Sequence, residues 1–164
     1  MSSATARDFR DTFGRVPTGV AIVTSSGPDG SAGMTTNAVT SLSLDPLLLI
    51  VCFEQRSRTL EVVRASRRFA VNVLRVGDEE LAAVFASKRV GREKFQAVNA
   101  HRWREAHGVP VLDGALAWVV CDLCELLPGG DHEIGVGEVV CTGAPDQEGD
   151  PLVFYRGAYT TIAH

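Results

Sequence analysis

The chain has 164 residues, 45% of them apolar and 22% charged, which suits one soluble globular domain over residues 1–164. Its formal net charge of −4 speaks against a nucleic-acid surface, because neutralising phosphates takes clustered Lys and Arg. The first residues carry no apolar leader core, and the longest apolar run, residues 47–53, is too short to cross a bilayer as a helix. The expected location is cytoplasmic.

Phe9 and Phe13, four apart, predict an apolar stripe on a short helix over residues 6–15, ended by Pro17. Residues 20–24 read as a strand, and Gly27-Pro28-Asp29-Gly30 as a turn that folds the next run back as a hairpin. That run, residues 32–44, is rich in Thr and Ser and is broken by Asp45-Pro46. Residues 47–53 follow as a buried strand. Residues 57–65 predict a helix with Leu60, Val62 and Val63 inward, and residues 69–74 another strand. The basic stretch from Arg64 to Arg68 reads as a solvated helix end. Asp78 can cap a helix over residues 79–86 that turns Leu81, Val84 and Phe85 inward. Residues 92–98 form a short helical piece, and residues 99–114 read as irregular. Strands return at 115–126, 133–142, 152–155 and 159–162, with a polar loop over 146–150. Strands dominate and several adjoin across tight turns, so the expected fold is mainly β: an antiparallel barrel with a few peripheral helices.

Cys52, Cys121, Cys124 and Cys141 are the four cysteines. Cys121 and Cys124 have metal or redox spacing. In a strand, residues three apart face opposite ways, and no second pair exists, so buried reduced thiols are the plainer reading.

No Gly-x-Gly-x-x-Gly follows a strand, and there is no P-loop. An anion could instead meet Gln55-Arg56-Ser57-Arg58-Thr59-Leu60 at a helix start, where backbone N–H groups, the Ser57 and Thr59 hydroxyls and sparse positive charge converge. The alternative is a plain N-cap with solvated arginines. Thr35, Asn37 and Ser41 would share one face of a regular strand, giving either a polar wall for a flat heterocycle or an exposed face. Phe85, Phe95, Trp103, Trp118 and Tyr155 read as core or rim aromatics, and Lys88 and Lys94 as surface lysines. Of four histidines, only His132 follows a glycine pair at the mouth of a strand, where its imidazole can serve chemistry near neutral pH. It lacks partner ligands at a metal-binding spacing.

Several segments occur in a telling order: Pro17-Thr18-Gly19-Val20, Met34-Thr35-Thr36-Asn37-Ala38, Ser41-Leu42-Ser43-Leu44-Asp45-Pro46, Ser57-Arg58-Thr59, Phe69-Ala70-Val71-Asn72-Val73-Leu74, Lys94-Phe95, Gly130-Asp131-His132, and Pro151-Leu152-Val153-Phe154-Tyr155-Arg156-Gly157. With them the chain resembles the short-chain flavin reductases that serve two-component flavin monooxygenases. The resemblance implies an antiparallel Greek-key split β-barrel that binds FMN, usually as a homodimer. It implies NADH or NADPH reducing FMN or FAD, with the reduced flavin leaving for a partner monooxygenase. Carried over by motif, Thr35, Thr36, Asn37 and Ala38 would line the isoalloxazine. Ser41, Cys52, Phe53, Ser57 and Thr59 would follow the ribityl and phosphate path, and Phe85, Lys88 and Phe95 would close the far side. His132 would meet the nicotinamide, with Tyr155 nearby. Ala38 stands where relatives often have Ser, which leaves a backbone contact there. Two other readings stay open: an oxidoreductase that retains its FMN and acts on a bound substrate, and a non-enzymatic flavin-binding domain.

Overall fold

The structure, a computed structural model, describes residues 3–89, 91–97, 102–144 and 149–162. Val98, residues 99–101, His164 and residues 146–148 of the expected polar loop lie outside them. Helix α1 (Ala6–Phe13) opens on a capping box: Thr5 Oγ1 accepts from the Asp8 backbone N–H while the Asp8 carboxylate accepts from Thr5 N. It ends at Gly14, so Pro17 follows the helix rather than stopping it. The predicted stripe is present, with the Phe9 and Phe13 rings stacked at 5.5 Å, but no residue of α1 is buried.

Strands β1 (Thr18–Gly19), β2 (Ala21–Gly27) and β3 (Gly30–Thr36) follow, β2 and β3 as the predicted hairpin with Gly27 opposite Gly30. Gly30 has φ +103°, which the turn requires and a side chain would resist. The Thr- and Ser-rich run is not one strand. It bends at Asn37 and Ala38, and β4 (Val39–Leu44) then pairs with β5 (Leu47–Glu54) instead of continuing β3. Next come α2 (Arg58–Ser66), β6 (Arg68–Val73), α3 (Glu79–Ala86) and α4 (Gly91–Ala97). The stretch expected to be irregular holds a hairpin, β7 (Trp103–Ala106) and β8 (Val109–Leu112), turned at His107 and Gly108, both at positive φ. Long strands β9 (Ala117–Gly129) and β10 (His132–Gly143) and short strands β11 (Val153–Tyr155) and β12 (Ala158–Thr160) complete the chain.

The main sheet runs β3-β2-β6-β9-β10-β5-β4, all antiparallel. β3 and β4 stand at its two ends and do not pair with each other, so hydrogen bonding does not close the expected barrel among the described residues. The fold is mainly β, with its helices on the outside. One core cluster gathers Val51, Phe53, Leu60, Val63, Phe69 and Val71, with Phe53 and Phe69 edge to face at 5.9 Å. Another packs Ile22, Leu74, Leu81, Phe85, Leu112 and Leu152 under α3. Burying each such side chain stabilises the fold by roughly 1.5–3 kcal/mol.

Three local expectations change. Asp78 sits at the start of α3 but makes no cap bond to it; its buried carboxylate accepts from Arg102 Nη2 at 2.9 Å and from Arg75 N at 3.3 Å. The arginine stretch is not merely solvated. Arg64 pairs with Glu133, Arg67 donates to the Leu123 and Cys124 carbonyls, and Arg68 grips Asp122 through two nitrogens at 2.6 and 3.1 Å. Cys121 and Cys124 diverge along β9, the first buried and the second exposed. Burial, with Asp122 and Cys124 nearby, pushes the Cys121 thiol up to about 12, which keeps it protonated and inert.

Candidate functional site

A cavity of about 690 Å³ opens between the end of β3, the end of β5, the start of α2 and the segment joining α3 to α4. Ten residues singled out in the sequence line it: Thr35, Thr36, Asn37, Ala38, Cys52, Ser57, Thr59, Phe85, Lys88 and His132. Strand alternation explains the floor. On β5, Val51 and Phe53 point into the core while Cys52 and Glu54 face the cavity. Phe53 is therefore wholly buried, and its side chain does not line this cavity. Ser41 follows the bend into β4 and leaves the cavity wall. Phe95 lines a neighbouring cavity, and Tyr155 stands on the small β1-β11-β12 sheet under the Arg156 guanidinium; neither lines this one.

The bend residues hold their polar groups in fixed states. Thr35 Oγ1 donates to Ala82 O at 2.6 Å, which leaves its lone pairs to accept. Thr36 Oγ1 accepts from Ala38 N at 3.1 Å, which leaves its hydroxyl proton to donate. Asn37 Nδ2 donates to Thr18 Oγ1 at 2.9 Å, which leaves its side-chain carbonyl. Ala38 O accepts from Cys52 N, so both backbone groups of Ala38 are engaged within the protein. The rim thus offers donors and acceptors in alternation to a flat ring edged with C=O and N–H groups.

At the other wall, Ser57 is the N-cap of α2: its Oγ accepts from Leu60 N at 3.1 Å, and its hydroxyl proton is left to donate. The cap and the anion site proposed from the sequence are compatible. Positive charge here is not sparse, since Arg56, Arg58, Lys88, Arg89 and Lys94 line the cavity against one carboxylate, Glu54. Lys94 is no surface lysine. It is 8% exposed, and its Nζ donates to Phe85 O at 2.9 Å and Gly33 O at 3.2 Å. Burial lowers its pKa from the usual lysine range. Glu54, Ser87, Arg89 and Lys94 went unmarked as site residues in the sequence. Only the Lys94-Phe95 pair carried a signal, because the other three reach the site through tertiary packing.

His132 opens β10, with Glu54 opposite on β5 and Gly129 opposite on β9. Gly130 at φ +73° makes the turn before it. The loop ahead of α2 latches that turn: Gln55 Nε2 donates to Gly130 O at 3.0 Å and Gln55 N to Asp131 O at 3.1 Å. His132 Nδ1 lies 2.8 Å from Asp131 Oδ1, and this contact holds the Asp131 carboxyl below its ordinary range. The imidazole is half-exposed, with one nitrogen tied and the other available at the cavity rim.

A cavity with this polar rim at one end and a helix N-cap among basic side chains at the other has the chemistry to take a flat polar heterocycle and a phosphate. The chain matches the flavin reductase like domain over residues 13–163. It is 39% identical over 155 residues to the flavin reductase (NADH) of Kitasatospora aureofaciens, covering 92% of this chain and 78% of that one. It is 35% identical over 158 residues to the reductase subunit HsaB of a flavin-dependent monooxygenase from Mycobacterium tuberculosis, covering 95% and 82%. Among solved structures it is similar to the NADH:FAD oxidoreductase SgcE6 of Streptomyces globisporus, solved with NAD and FAD fragments (TM-score 0.85, 36% identity, 96% and 92% covered). It is also similar to BorF, the flavin reductase component of a bacterial two-component tryptophan halogenase (TM-score 0.88, 30% identity, 98% and 99% covered). The protein belongs to the flavin reductase like family.

Proposed function

We propose that this protein is an NADH-dependent flavin reductase that reduces FMN or FAD and releases the product to a partner monooxygenase. The carrying observation is the cavity: five basic residues line it, together with a helix N-cap, in a chain of net charge −4, facing a rim of fixed hydroxyl and amide groups. A flavin fits that donor set, with its phosphate at Ser57, Arg58 and Thr59 and its ring edge at Thr35, Thr36 and Asn37. The local positive field draws a phosphorylated ligand from solution. When bound, the flavin supplies the redox chemistry by accepting a hydride from the reduced nicotinamide.

The chain's own task is placement. Thr36 and Asn37 set the ring's in-plane position, because Ala38 and Thr18 already fix their other groups. Phe85 backs the cavity from α3. His132, tied to Asp131, orients the nicotinamide nucleotide over the ring, since reacting atoms must come within about 3–3.5 Å. Arg58, Lys88 and Arg89 sit where water can reach them, so their hold on phosphate is screened, which suits a flavin that must leave.

The finer parts of this reading concern assembly. Leu42, Leu44 and Leu47 are exposed on the β4–β5 hairpin, and Phe9 and Phe13 on α1; a homodimer would cover such surfaces. The chain bend at Asn37 and Ala38, which links the unpaired edge strands β3 and β4, fits a split barrel. One functional unit is supported by a family match over nearly the whole chain. Four free thiols suit a reducing cytoplasm, where NADH is supplied. Oxidation of NADH and NADPH, measured with FMN and FAD varied separately, tests the function. Turnover dependent on added flavin supports it; NADH oxidation indifferent to flavin would sink it.

A further inference from the structure

Helix α2 and the residues leading into it reach both ends of the candidate site. The N-cap, Ser57, lies where the proposed reading puts the flavin phosphate, between Arg56 and Arg58 on the cavity wall. Ties run from the same stretch to the turn and strand start that carry His132. Gln55 Nε2 donates to Gly130 O at 3.0 Å, Gln55 N donates to Asp131 O at 3.1 Å, and Arg64 pairs with Glu133. They grip residues on both sides of His132 and leave the imidazole itself untouched. We propose that Gln55 couples the two cofactors. A phosphate seated at Ser57 orders the β5–α2 connection, and Gln55 passes that order to the turn before His132, so a phosphorylated flavin strengthens the binding of NADH. The inference rests on reading the cavity as the flavin site and His132 as the nicotinamide contact.

The connection is short and stiff at its base. Glu54 ends β5 opposite His132, Gln55 follows, and Ser57 caps α2. Ser57 N donates to Glu54 O at 2.9 Å, which joins the cap to the end of the strand. Its side chains, by contrast, have order left to gain. Gln55, Arg56 and Arg58 are exposed, and Arg58 meets Glu61 at 3.9 Å with both side chains more than half exposed. Exposed side chains with few contacts lose conformational freedom when a phosphate binds them. The first ligand meets that ordering cost, and the second then binds a turn already held.

Gln55 is the residue suited to transmit the effect. It does not line the cavity, so it acts as a positioning residue through the turn and not by touching either cofactor. The Arg64–Glu133 pair is partly exposed and therefore screened by salt, whereas the neutral Gln55 bonds are not.

The test measures the dissociation constant of tetrahydro-NADH, which has the shape of NADH but donates no hydride. Calorimetry is run at saturating FMN and again at saturating riboflavin, the same ring without a phosphate. Wild type is compared with Gln55→Met, which keeps the length of the side chain and removes its donor. The wild type is expected to bind the analogue at least about threefold more tightly beside FMN than beside riboflavin, the scale of one neutral hydrogen bond. Linkage requires the analogue to favour FMN over riboflavin by that same factor. Gln55→Met keeps the backbone bond to Asp131 and should lose most of the ratio, while the Kd for FMN alone stays unchanged. A merely structural role would weaken the analogue equally beside both flavins. An unchanged ratio in Gln55→Met, or no preference in the wild type, overturns the inference, and continued reduction of FMN would leave the flavin reductase reading standing. Failure of both flavins to bind would overturn both.

Discussion

The imidazole of His132 is aimed by one group it touches and one it does not. Gln55 fixes the Gly130–Asp131 turn from the α2 side, and Asp131 ties one ring nitrogen. His132→Ala is expected to raise the KM for NADH or slow flavin reduction by about tenfold while leaving the flavin Kd unchanged, the pattern of a lost positioning contact. Stopped-flow reduction beside flavin titration separates the two, and unchanged kinetics would remove His132 from the site. Lys94 makes a different kind of contribution. Its two bonds to buried carbonyls hold α4 against β3 and the end of α3. Lys94→Met leaves those carbonyls unpaired and should lower stability by about 1–3 kcal/mol in denaturant titration. Because burial lowers the Lys94 pKa, the folded state binds fewer protons than the unfolded state between the folded value and about 10.4. The advantage of the wild type over Lys94→Met should therefore grow as pH rises through that window.

Elements decide which sequence signals survived. The motif from Thr35 to Ala38 was legible because a bend needs small and polar residues. The face shared by Thr35, Asn37 and Ser41 was not, since the same bend sends Ser41 away on β4. The β7–β8 hairpin escaped notice because Pro110 and a His-Gly turn mask its short alternation. Element packing also sets the depth of the cavity. A Cβ at Gly33 would lie 2.6 Å from the Phe85 ring and 3.2 Å from Val23 O, so Gly33→Ala must push Phe85 and α3 outward. Thermal unfolding should show a loss of about 1–3 kcal/mol, with weaker flavin binding. Between β6 and β9, Arg68 holds the Asp122 carboxyl below its ordinary range, chiefly by hydrogen bonding. That contribution is complete above the unfolded value of about 3.9 and fades as pH falls through the folded value. Both side chains are over a third exposed, so Asp122→Asn should cost under about 1 kcal/mol at neutral pH. In urea titrations the difference should shrink as pH falls below about 3.9 and through the folded value.

At the scale of the molecule, composition and strand rhythm were enough to expect a mainly β fold with outer helices, and the ordered motifs led to ten of the residues that line the cavity. Charge was misread because it is a property of assembly. Arg56 and Arg58 stand at the start of α2, Lys88 and Arg89 between α3 and α4, and Lys94 on α4, and only the folded chain brings these three places to one cavity. On the proposed reading, that gathering and His132 on β10 serve a flavin that arrives, is reduced and departs. The claim is tested by mixing a trace of protein with excess FMN or FAD and NADH under anaerobic conditions and following the oxidised-flavin absorbance. The account predicts that the whole flavin pool is reduced, many equivalents per protomer; reduction that stops at one equivalent would show a retained cofactor and contradict it.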